Sequence, residues 1–251
     1  MNQQTASHPI SPQLTELLRS AKHVAVLTGA GVSAESNIPT FRDAQTGLWA
    51  KYSPEELATP EAFRRNPKLV WDWYAWRREL VSRAEPNPGH LALVELAHLV
   101  PQLTLITQNV DGLHQRAGSR NVIELHGSIT RIVCSHDRRV AETWPDLDET
   151  PPRCPDCNNY LRPDVVWFGE SLPVQALQRA FQAAETCDLF LSIGTSALVH
   201  PAASLPFTAL ERRTPTIEIN PDETPLTRHA TFVLPGPSGQ ILPALVASLK
   251  N

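Results

Sequence analysis

Four short apolar runs of this chain are each followed at once by small, polar or ionisable residues. The four endings are Thr28-Gly29, Gln108-Asn109, Gly194-Thr195-Ser196 and Asn220. In an open parallel sheet, ligands bind at the carboxyl ends of the strands, where such groups meet. Several endings with the same chemistry are hard to explain by loop composition alone. They predict one ligand cleft that several strands share.

The residues Gly29, Gly31 and Ala34 form a G-x-G-x-x-A spacing directly after the apolar run 23–27. Glycines let the backbone turn tightly and let a phosphate approach bare N–H groups. The start of the following helix would direct its positive dipole end at the same anion. A dinucleotide is therefore the first hypothesis. The competing interpretation is that a strand-to-helix turn needs these residues for its geometry alone.

Three cysteines have a spacing typical of a metal site. Cys154 and Cys157 form a C-x-x-C pair, and Cys134 lies 20 residues upstream of Cys154. Two C-x-x-C pairs would indicate a zinc ribbon, but Asp137 holds the position of the fourth cysteine, with His136 beside it. The pattern predicts one structural zinc bound by the three cysteines and closed by Asp137 or His136. The alternative is a ribbon held by packing without a metal.

The elements that position these residues alternate along the chain. Strands are predicted at 23–27, 103–107, 122–125, 165–168, 188–193, 216–219 and 231–234, with amphipathic helices before, between and after them. This alternation predicts an α/β fold, a Rossmann-like parallel sheet with helices on both faces. A helical stretch, 54–84, and the polar, proline-rich stretch 134–157 interrupt the alternation.

Composition limits the classes of function. The chain has 251 residues, 41% of them apolar, and its net charge of −4 argues against a broad nucleic-acid surface. It lacks an apolar stretch of the roughly 18 residues that a membrane span needs, and its first residues lack the layout of a signal peptide. We therefore expect a cytoplasmic protein with neither nucleic-acid nor membrane partners. Cysteines in such a protein favour metal binding or catalysis over disulfides.

Seven motifs, in the family's order and spanning nearly the whole chain, resemble the sirtuins, which are NAD-dependent protein-lysine deacylases. The motifs lie at 29–36, 39–42, 107–114, 124–128, 165–170, 194–196 and 219–220. The resemblance implies a Rossmann-type NAD-binding domain made of residues 1–43, 90–128 and 164–251. It also implies a small domain that combines a helical module, 44–89, with a zinc-ribbon module, 129–163. NAD and the acyl-lysine would meet in the cleft between the two domains.

The same resemblance implies roles for residues around NAD. The backbone of Gly29–Ser33 and the side chain of Arg42 would hold the pyrophosphate, and Phe41 would shield the reacting ribose. The nicotinamide and its ribose would be positioned by Gln108, Asn109 and Asp111. The adenosine half would be bound by Gly194, Thr195, Ser196 and Asn220, with Ser238 near the adenine. The cofactor-binding set is completed by Ala30, Gly31, Ser33, Ala34, Glu35 and Trp49.

The catalytic pair implied by the resemblance is His126, as general base, with Asn109. An imidazole suits this role because its ordinary pKa of about 6.5 leaves it mostly neutral near pH 7. NAD would be consumed as a co-substrate, with nicotinamide and O-acyl-ADP-ribose as products.

The acyl preference is implied by Tyr74 and Arg77, which stand three residues apart and share one helix face. Without the family context they would be interpreted as part of an amphipathic surface. In class III sirtuins a Tyr-x-x-Arg pair lies in the acyl pocket, where Arg77 would bind a succinyl or malonyl carboxylate in a bidentate fork. Deacetylation would then be a weaker or parallel activity. Val166 and Phe168 would complete the contacts with the acylated-lysine protein or peptide, and we expect a monomer.

Three other functions fit parts of the sequence. A non-catalytic NAD or ADP-ribose sensor would keep the glycine turn and would not need His126. A zinc-ribbon interaction protein is weakened by the acidic charge balance and the incomplete cysteine set. A hydride-transferring dehydrogenase would show an acidic residue at a strand end about 20 residues past the glycines. Glu55 and Glu56 lie near that distance, but in a helical, proline-punctuated stretch.

Overall fold

The computed structural model describes residues 10–39, 52–142 and 149–250. Over these residues the helices are α1 Pro12–Ser20, α2 Gly31–Ala34, α3 Pro54–Leu57, α4 Pro60–Arg65, α5 Pro67–Arg83, α6 Pro88–Leu99, α7 Leu113–Ala117, α8 Val174–Thr186, α9 Leu205–Glu211 and α10 Ser238–Lys250. The strands are β1 His23–Thr28, β2 Gln102–Thr107, β3 Ile123–Glu124, β4 Gly127–Cys134, β5 Leu161–Val165, β6 Leu189–Ile193, β7 Thr216–Asn220 and β8 Phe232–Pro235. A single 3-10 turn, Ala202–Ser204, precedes α9.

Six strands form one parallel sheet in the order β3-β2-β1-β6-β7-β8. The central strand β1 is buried over five of its six residues, as expected of a strand with helices on both faces. Proline at the start of α1, α5 and α6 fits the first helical turn, where its missing N–H costs no hydrogen bond. The predicted α/β fold with a Rossmann-like parallel sheet is confirmed.

The helices cover the two faces of this sheet with separate apolar cores. On one face, side chains of α1, α6 and α10 pack against the sheet, with Leu14, Leu93 and Leu242 fully buried. On the other face, α8 and α9 pack through Ala184 and Leu205 against alternate residues of the same strands. Because both faces are packed, the residues that follow the strands at the carboxyl-terminal edge are held in defined positions.

Outside the main sheet, β4 and β5 form a two-stranded antiparallel sheet. The predicted strand at 165–168 is wrong in its bounds, because Val165 ends β5 and the next residues leave the sheet. Their backbone hydrogen bonds go elsewhere: Val166 donates to the carbonyl of His126 at 2.9 Å, and Phe168 donates to the carbonyl of Ala58 at 2.9 Å. Trp167 of this run is buried against Tyr74 of α5, whereas Val166 is half-buried and Phe168 is exposed, so the run is not a buried strand.

The helices α3, α4 and α5 join the small sheet through a third apolar core. It includes Phe63, Trp73, Tyr74, Ile129 and Trp167. This core therefore fixes α5 against both the small sheet and the loop that follows β5. Among the described residues, no helix is both long and apolar enough to span a membrane.

Candidate functional site

The four strand endings singled out in the sequence stand side by side. The strands β2, β1, β6 and β7 are consecutive neighbours in the sheet, so Gln108, Gly29, Gly194 and Asn220 follow one another along its carboxyl-terminal edge. Backbone hydrogen bonds continue past the strands, with the Gln108 N–H donating to the carbonyl of Thr28 at 3.0 Å. The structure thus brings the predicted cleft residues onto one edge.

The glycine turn packs directly on the end of β6. The N–H groups of Gly29 and Gly31 donate to the carbonyls of Ile193 and Gly194 at 3.0 and 2.8 Å. A Cβ atom at Gly29 would lie 2.7 Å from the Gly194 oxygen, and one at Gly31 would lie 2.8 Å from the Gly194 Cα. This close approach requires both glycines with or without a phosphate. Binding of the pyrophosphate by this turn therefore stays a prediction.

A buried polar cluster joins the glycine turn to the loop after β2. The Ser33 hydroxyl donates to Asp111 Oδ2 at 2.7 Å and accepts from Asn109 Nδ2 at 3.1 Å. The other carboxylate oxygen of Asp111 accepts from the Leu113 N–H at 2.9 Å. Ser33 and Asp111 are both buried. Three residues predicted to line the NAD site are therefore in direct contact, and each orients the next.

His126 is held in one orientation and one tautomer. Its Nδ1 lies 2.9 Å from the carbonyl oxygen of Gln108, and because that oxygen only accepts, Nδ1 carries the proton. Nε2 then has a free lone pair, which is what a general base needs. Burial lowers the pKa of His126, against the opposing effect of the Gln108 carbonyl. The ring is therefore neutral at physiological pH.

The residues predicted for the adenosine half lie further along the edge. Gln108 Nε2 donates to Thr195 Oγ1 at 2.9 Å, which ties the ends of β2 and β6 together. Asn220 Nδ2 donates to the Asp222 carbonyl at 2.7 Å. Glu35 reaches the start of α10, where it accepts from the Gly239 N–H at 2.6 Å and from Ser238 Oγ at 3.4 Å. Glu35 thereby fixes α10 against the glycine turn.

Tyr74 and Arg77 are buried, at 1% and 8% exposed, so the interpretation of the pair as an amphipathic surface is wrong. The Tyr74 oxygen accepts from the indole Nε1 of Trp167 at 2.9 Å, and the Arg77 guanidinium carbon lies 5.2 Å from the Trp73 ring centroid. Burial raises the pKa of Tyr74 and lowers the pKa of Arg77. Interaction with Tyr74 and then with the negative charge of Asp111 opposes the lowering of the Arg77 pKa.

The two remaining substrate candidates flank Trp167. Val166 is half-buried and bonded to the His126 carbonyl, while the Phe168 side chain is 45% exposed. The segment that carries them therefore runs from His126 to the surface. Exposed apolar side chains are suited to contact a partner chain.

The candidate metal centre contains three cysteines. The sulfur atoms of Cys134, Cys154 and Cys157 lie within 4.8 Å of one another, with 3.4 Å between the first and the last. Zn–S bonds of about 2.3 Å in a tetrahedron place sulfur atoms about 3.8 Å apart, so the three thiols fit zinc. Asp137 is not part of this group, since its carboxylate accepts from the backbone N–H of Arg139 at 3.0 Å and pairs with its guanidinium at 2.5 Å. Its role as fourth ligand stays a prediction, as does that of the exposed His136.

Three predicted cofactor residues, Phe41, Arg42 and Trp49, lie outside the described residues. Ala30 and Ala34 are exposed beside the glycine turn, and Ser196 is half-buried after β6.

Comparison with known proteins identifies the family. The family model described as the Sir2 family matches residues 29–201, which include the glycine turn, the polar cluster, His126 and the end of β6. The chain belongs to the Sir2 family. It is 56% identical over 210 residues to the NAD-dependent protein deacylase of Aquifex aeolicus, covering 83% of this chain and 87% of that protein. It is 52% identical over 249 residues to the NAD-dependent protein deacylase of Methylococcus capsulatus, covering 96% and 98%.

A solved Sir2 structure gives the same result for the fold. The chain is similar to a Sir2 homologue in complex with NAD, with a TM-score of 0.90 and 49% identity over 96% of this chain and 94% of that one. The predicted resemblance to the sirtuins is thus confirmed.

The dehydrogenase alternative is not supported, because residues 55 and 56 lie in the helix α3 and not at a strand end.

One set of contacts beside Tyr74 was not predicted from the sequence. The Trp167 indole contacts Tyr74, the Arg162 guanidinium lies over its ring, and its backbone N–H donates to Glu170. The signal was present, because a buried indole N–H requires an acceptor. The sequence did not show which acceptor it would find, since residues 74 and 167 meet only in the folded chain.

Proposed function

We propose that this Sir2-family protein is an NAD-dependent protein-lysine deacylase that removes succinyl or malonyl groups in preference to acetyl groups. NAD would be consumed, and the products would be nicotinamide, free lysine and O-acyl-ADP-ribose. The curated relatives are named for NAD-dependent deacylation, which supports the general activity. The acyl preference goes beyond those names and rests on the buried Tyr74–Arg77 pair.

The residues around the strand ends support binding and cleavage of NAD. When bound, NAD supplies the ribose carbon that the acyl oxygen attacks as nicotinamide leaves. Asn109 and Asp111 are fixed through Ser33, so their side chains are preorganised to orient the nicotinamide ribose. His126 would take a proton at Nε2 from a ribose hydroxyl, because Nδ1 is already bonded to the Gln108 carbonyl. The hydroxyl oxygen would then attack the acyl carbon, and water would release the lysine side chain and O-acyl-ADP-ribose.

Arg77 carries the argument for an acidic acyl group. A guanidinium taken out of water is costly, and burial accordingly lowers its pKa. The carboxylate at the end of a succinyl or malonyl group would offset that cost with two parallel N–H···O bonds. An acetyl group ends in a methyl and offers the guanidinium no acceptor. The acidic acyl chain therefore gains more from this pocket than the acetyl group does.

The decisive assay incubates the protein with NAD and either a succinyl-lysine or an acetyl-lysine peptide of the same sequence. Release of nicotinamide together with deacylated peptide is expected, with the higher kcat/KM for the succinyl peptide. A non-catalytic sensor would bind ADP-ribose but release no nicotinamide. Equal kcat/KM for the two peptides would contradict the acyl preference and leave the deacylase activity standing.

The variant Arg77→Met tests the carboxylate contact directly. We expect its kcat/KM for the succinyl peptide to fall roughly 100-fold, because two hydrogen bonds to a charged group are worth about 3 kcal/mol. Deacetylation should change little. Arg78→Met is the matched control, since Arg78 is the next residue on α5 and stacks on Trp71, 4.9 Å from its ring centroid. An equal loss of both activities in Arg77→Met would exclude the clamp.

The partners, assembly state and location that we propose are those expected from the sequence. The partners are acylated-lysine proteins or peptides, and the protein is expected to be a cytoplasmic monomer. The two substrates would meet in the cleft between the Rossmann-type and small domains. Zinc would be bound by Cys134, Cys154 and Cys157 and would have a structural role, because the chemistry above is assigned to His126.

A further inference from the structure

Trp167 is the one residue seen to hydrogen-bond the Tyr74 hydroxyl in the described part of the chain. Its indole Nε1 lies 2.9 Å from the Tyr74 oxygen, and the Trp167 and Tyr74 side chains are 2% and 1% exposed. An indole N–H can only donate, so the Tyr74 oxygen is the acceptor in this bond. The direction of the hydrogen bond is therefore fixed by the residue types.

A phenol that accepts one hydrogen bond still has its own O–H to donate. Among the described residues, the hydrogen bond from Trp167 is the one found at the Tyr74 hydroxyl, and the O–H itself donates to no protein acceptor there. Burial raises the pKa of Tyr74 above its ordinary value, so the hydroxyl keeps that proton at any physiological pH. Tyr74 thus presents a donor on the face of α5 that also carries Arg77, three residues further on.

The indole is itself held in place by a buried ion pair. The Arg162 guanidinium carbon lies 3.2 Å from the Trp167 ring centroid, and its Nη1 pairs with Glu170 Oε1 at 2.6 Å. The Trp167 backbone N–H donates to Glu170 Oε2 at 2.8 Å. Arg162 Nη2 also donates to the Val165 carbonyl at 2.7 Å, which fixes the start of the same segment. The ring therefore has little freedom to turn its N–H away from Tyr74.

We infer that Trp167 is a positioning residue for acyl specificity, which donates to the Tyr74 oxygen and so directs the Tyr74 O–H toward the end of the acyl chain. A chain that ends in a carboxylate accepts this bond, while an acetyl methyl cannot. Trp167 would then favour acidic acyl groups without touching them. This inference rests on the proposed function of Tyr74 and Arg77.

The test is Trp167→Phe, which keeps an aromatic ring and removes the N–H. We expect kcat/KM for the succinyl peptide to fall about tenfold, mainly through KM, with little change for the acetyl peptide. Tyr74→Phe should give a similar loss, and the double variant should lose no more than either single one, because both changes remove the same chain of hydrogen bonds. Trp76→Phe is the control, since Trp76 lies on the same helix and is partly buried against the core that includes Tyr74.

The outcomes separate the inference from the function on which it rests. If Arg77→Met changes the succinyl-to-acetyl ratio and Trp167→Phe does not, the inference is overturned and the proposed function stands. If Arg77→Met leaves the ratio unchanged, both fail. An equal loss of both activities in Trp167→Phe would indicate a structural role only. Should Trp167→Phe not fold, as judged by thermal denaturation, Tyr74→Phe tests the same bond from its other end.

Discussion

At the scale of single residues, the two histidines of the strand-end motifs differ in what their partners leave free. His126 has Nδ1 bonded to a backbone carbonyl and Nε2 available. His114 is more deeply buried, its Nε2 lies 2.9 Å from Thr28 Oγ1, and burial lowers its pKa to about 3. Because His114 is out of reach of solvent and tied to the end of β1, its contacts support a structural role.

Replacing His126 by alanine should therefore abolish chemistry and spare the fold. Loss of a general base costs about 10²–10⁴-fold in rate, so kcat for the succinyl peptide should fall by that range. Binding of ADP-ribose, measured by titration calorimetry, should persist because the strand ends are intact. His98→Ala is the control, since His98 is exposed in the last turn of α6. Near-normal turnover in His126→Ala would remove His126 from the mechanism.

Residue types could be predicted from the sequence, but their partners could not. Asn109, Asp111 and Ser33 were each assigned to the cofactor, yet their contacts with one another depend on strand order, which places β1 beside β2. The burial of Tyr74 and Arg77 likewise depends on the core that α5 shares with the small sheet. Helical periodicity gives the face of a helix but not what lies against it.

At the scale of elements, the strand-to-helix turn after β1 is set by its neighbour. Helix α2 has only four residues, so its dipole is that of a single turn. The close packing of Gly31 against Gly194 therefore explains the glycine spacing better than binding of an anion by the helix dipole does. The alternation of strands and helices could be read from the sequence because central strands such as β1 and β6 are buried on both faces and therefore form continuous apolar runs. The run at 165–168 could not, since a short apolar run has the same appearance in a loop under a helix.

The variant Gly31→Ala tests that packing. Its Cβ would lie 2.8 Å from the Gly194 Cα, and two backbones cannot separate as a side chain can. We expect the free energy of unfolding to fall by about 1–3 kcal/mol, the usual cost of overpacking, as measured by urea denaturation. Ala34→Ser, at an exposed position of the same helix, should stay within about 0.5 kcal/mol of the wild type. An unchanged urea midpoint in Gly31→Ala would show that the turn does not need the close approach.

At the scale of the whole molecule, the cysteine cluster is linked through shared packing to α5, which carries Tyr74 of the proposed acyl pocket. Trp71 of α5 packs in one apolar core with Ile132, Leu161 and two of the cysteines. Tyr74 lies one turn further along the same helix. A metal that crosslinks Cys134 to the pair at 154–157 would therefore hold the surface on which α5 rests, as well as the ribbon itself.

Removing zinc should accordingly lower stability and weaken acyl recognition together. An ion present at 100 times its Kd stabilises the folded state by about 2.7 kcal/mol, so chelation should lower Tm in proportion and raise KM for the succinyl peptide. Metal analysis should find one zinc per chain in the wild type and none in Cys157→Ser. Cys187→Ser is the matched control, because Cys187 is buried against α8 and β6, apart from the three-sulfur group, and its loss should leave the zinc content unchanged. A metal-free wild type with full stability would show that packing alone holds the ribbon together.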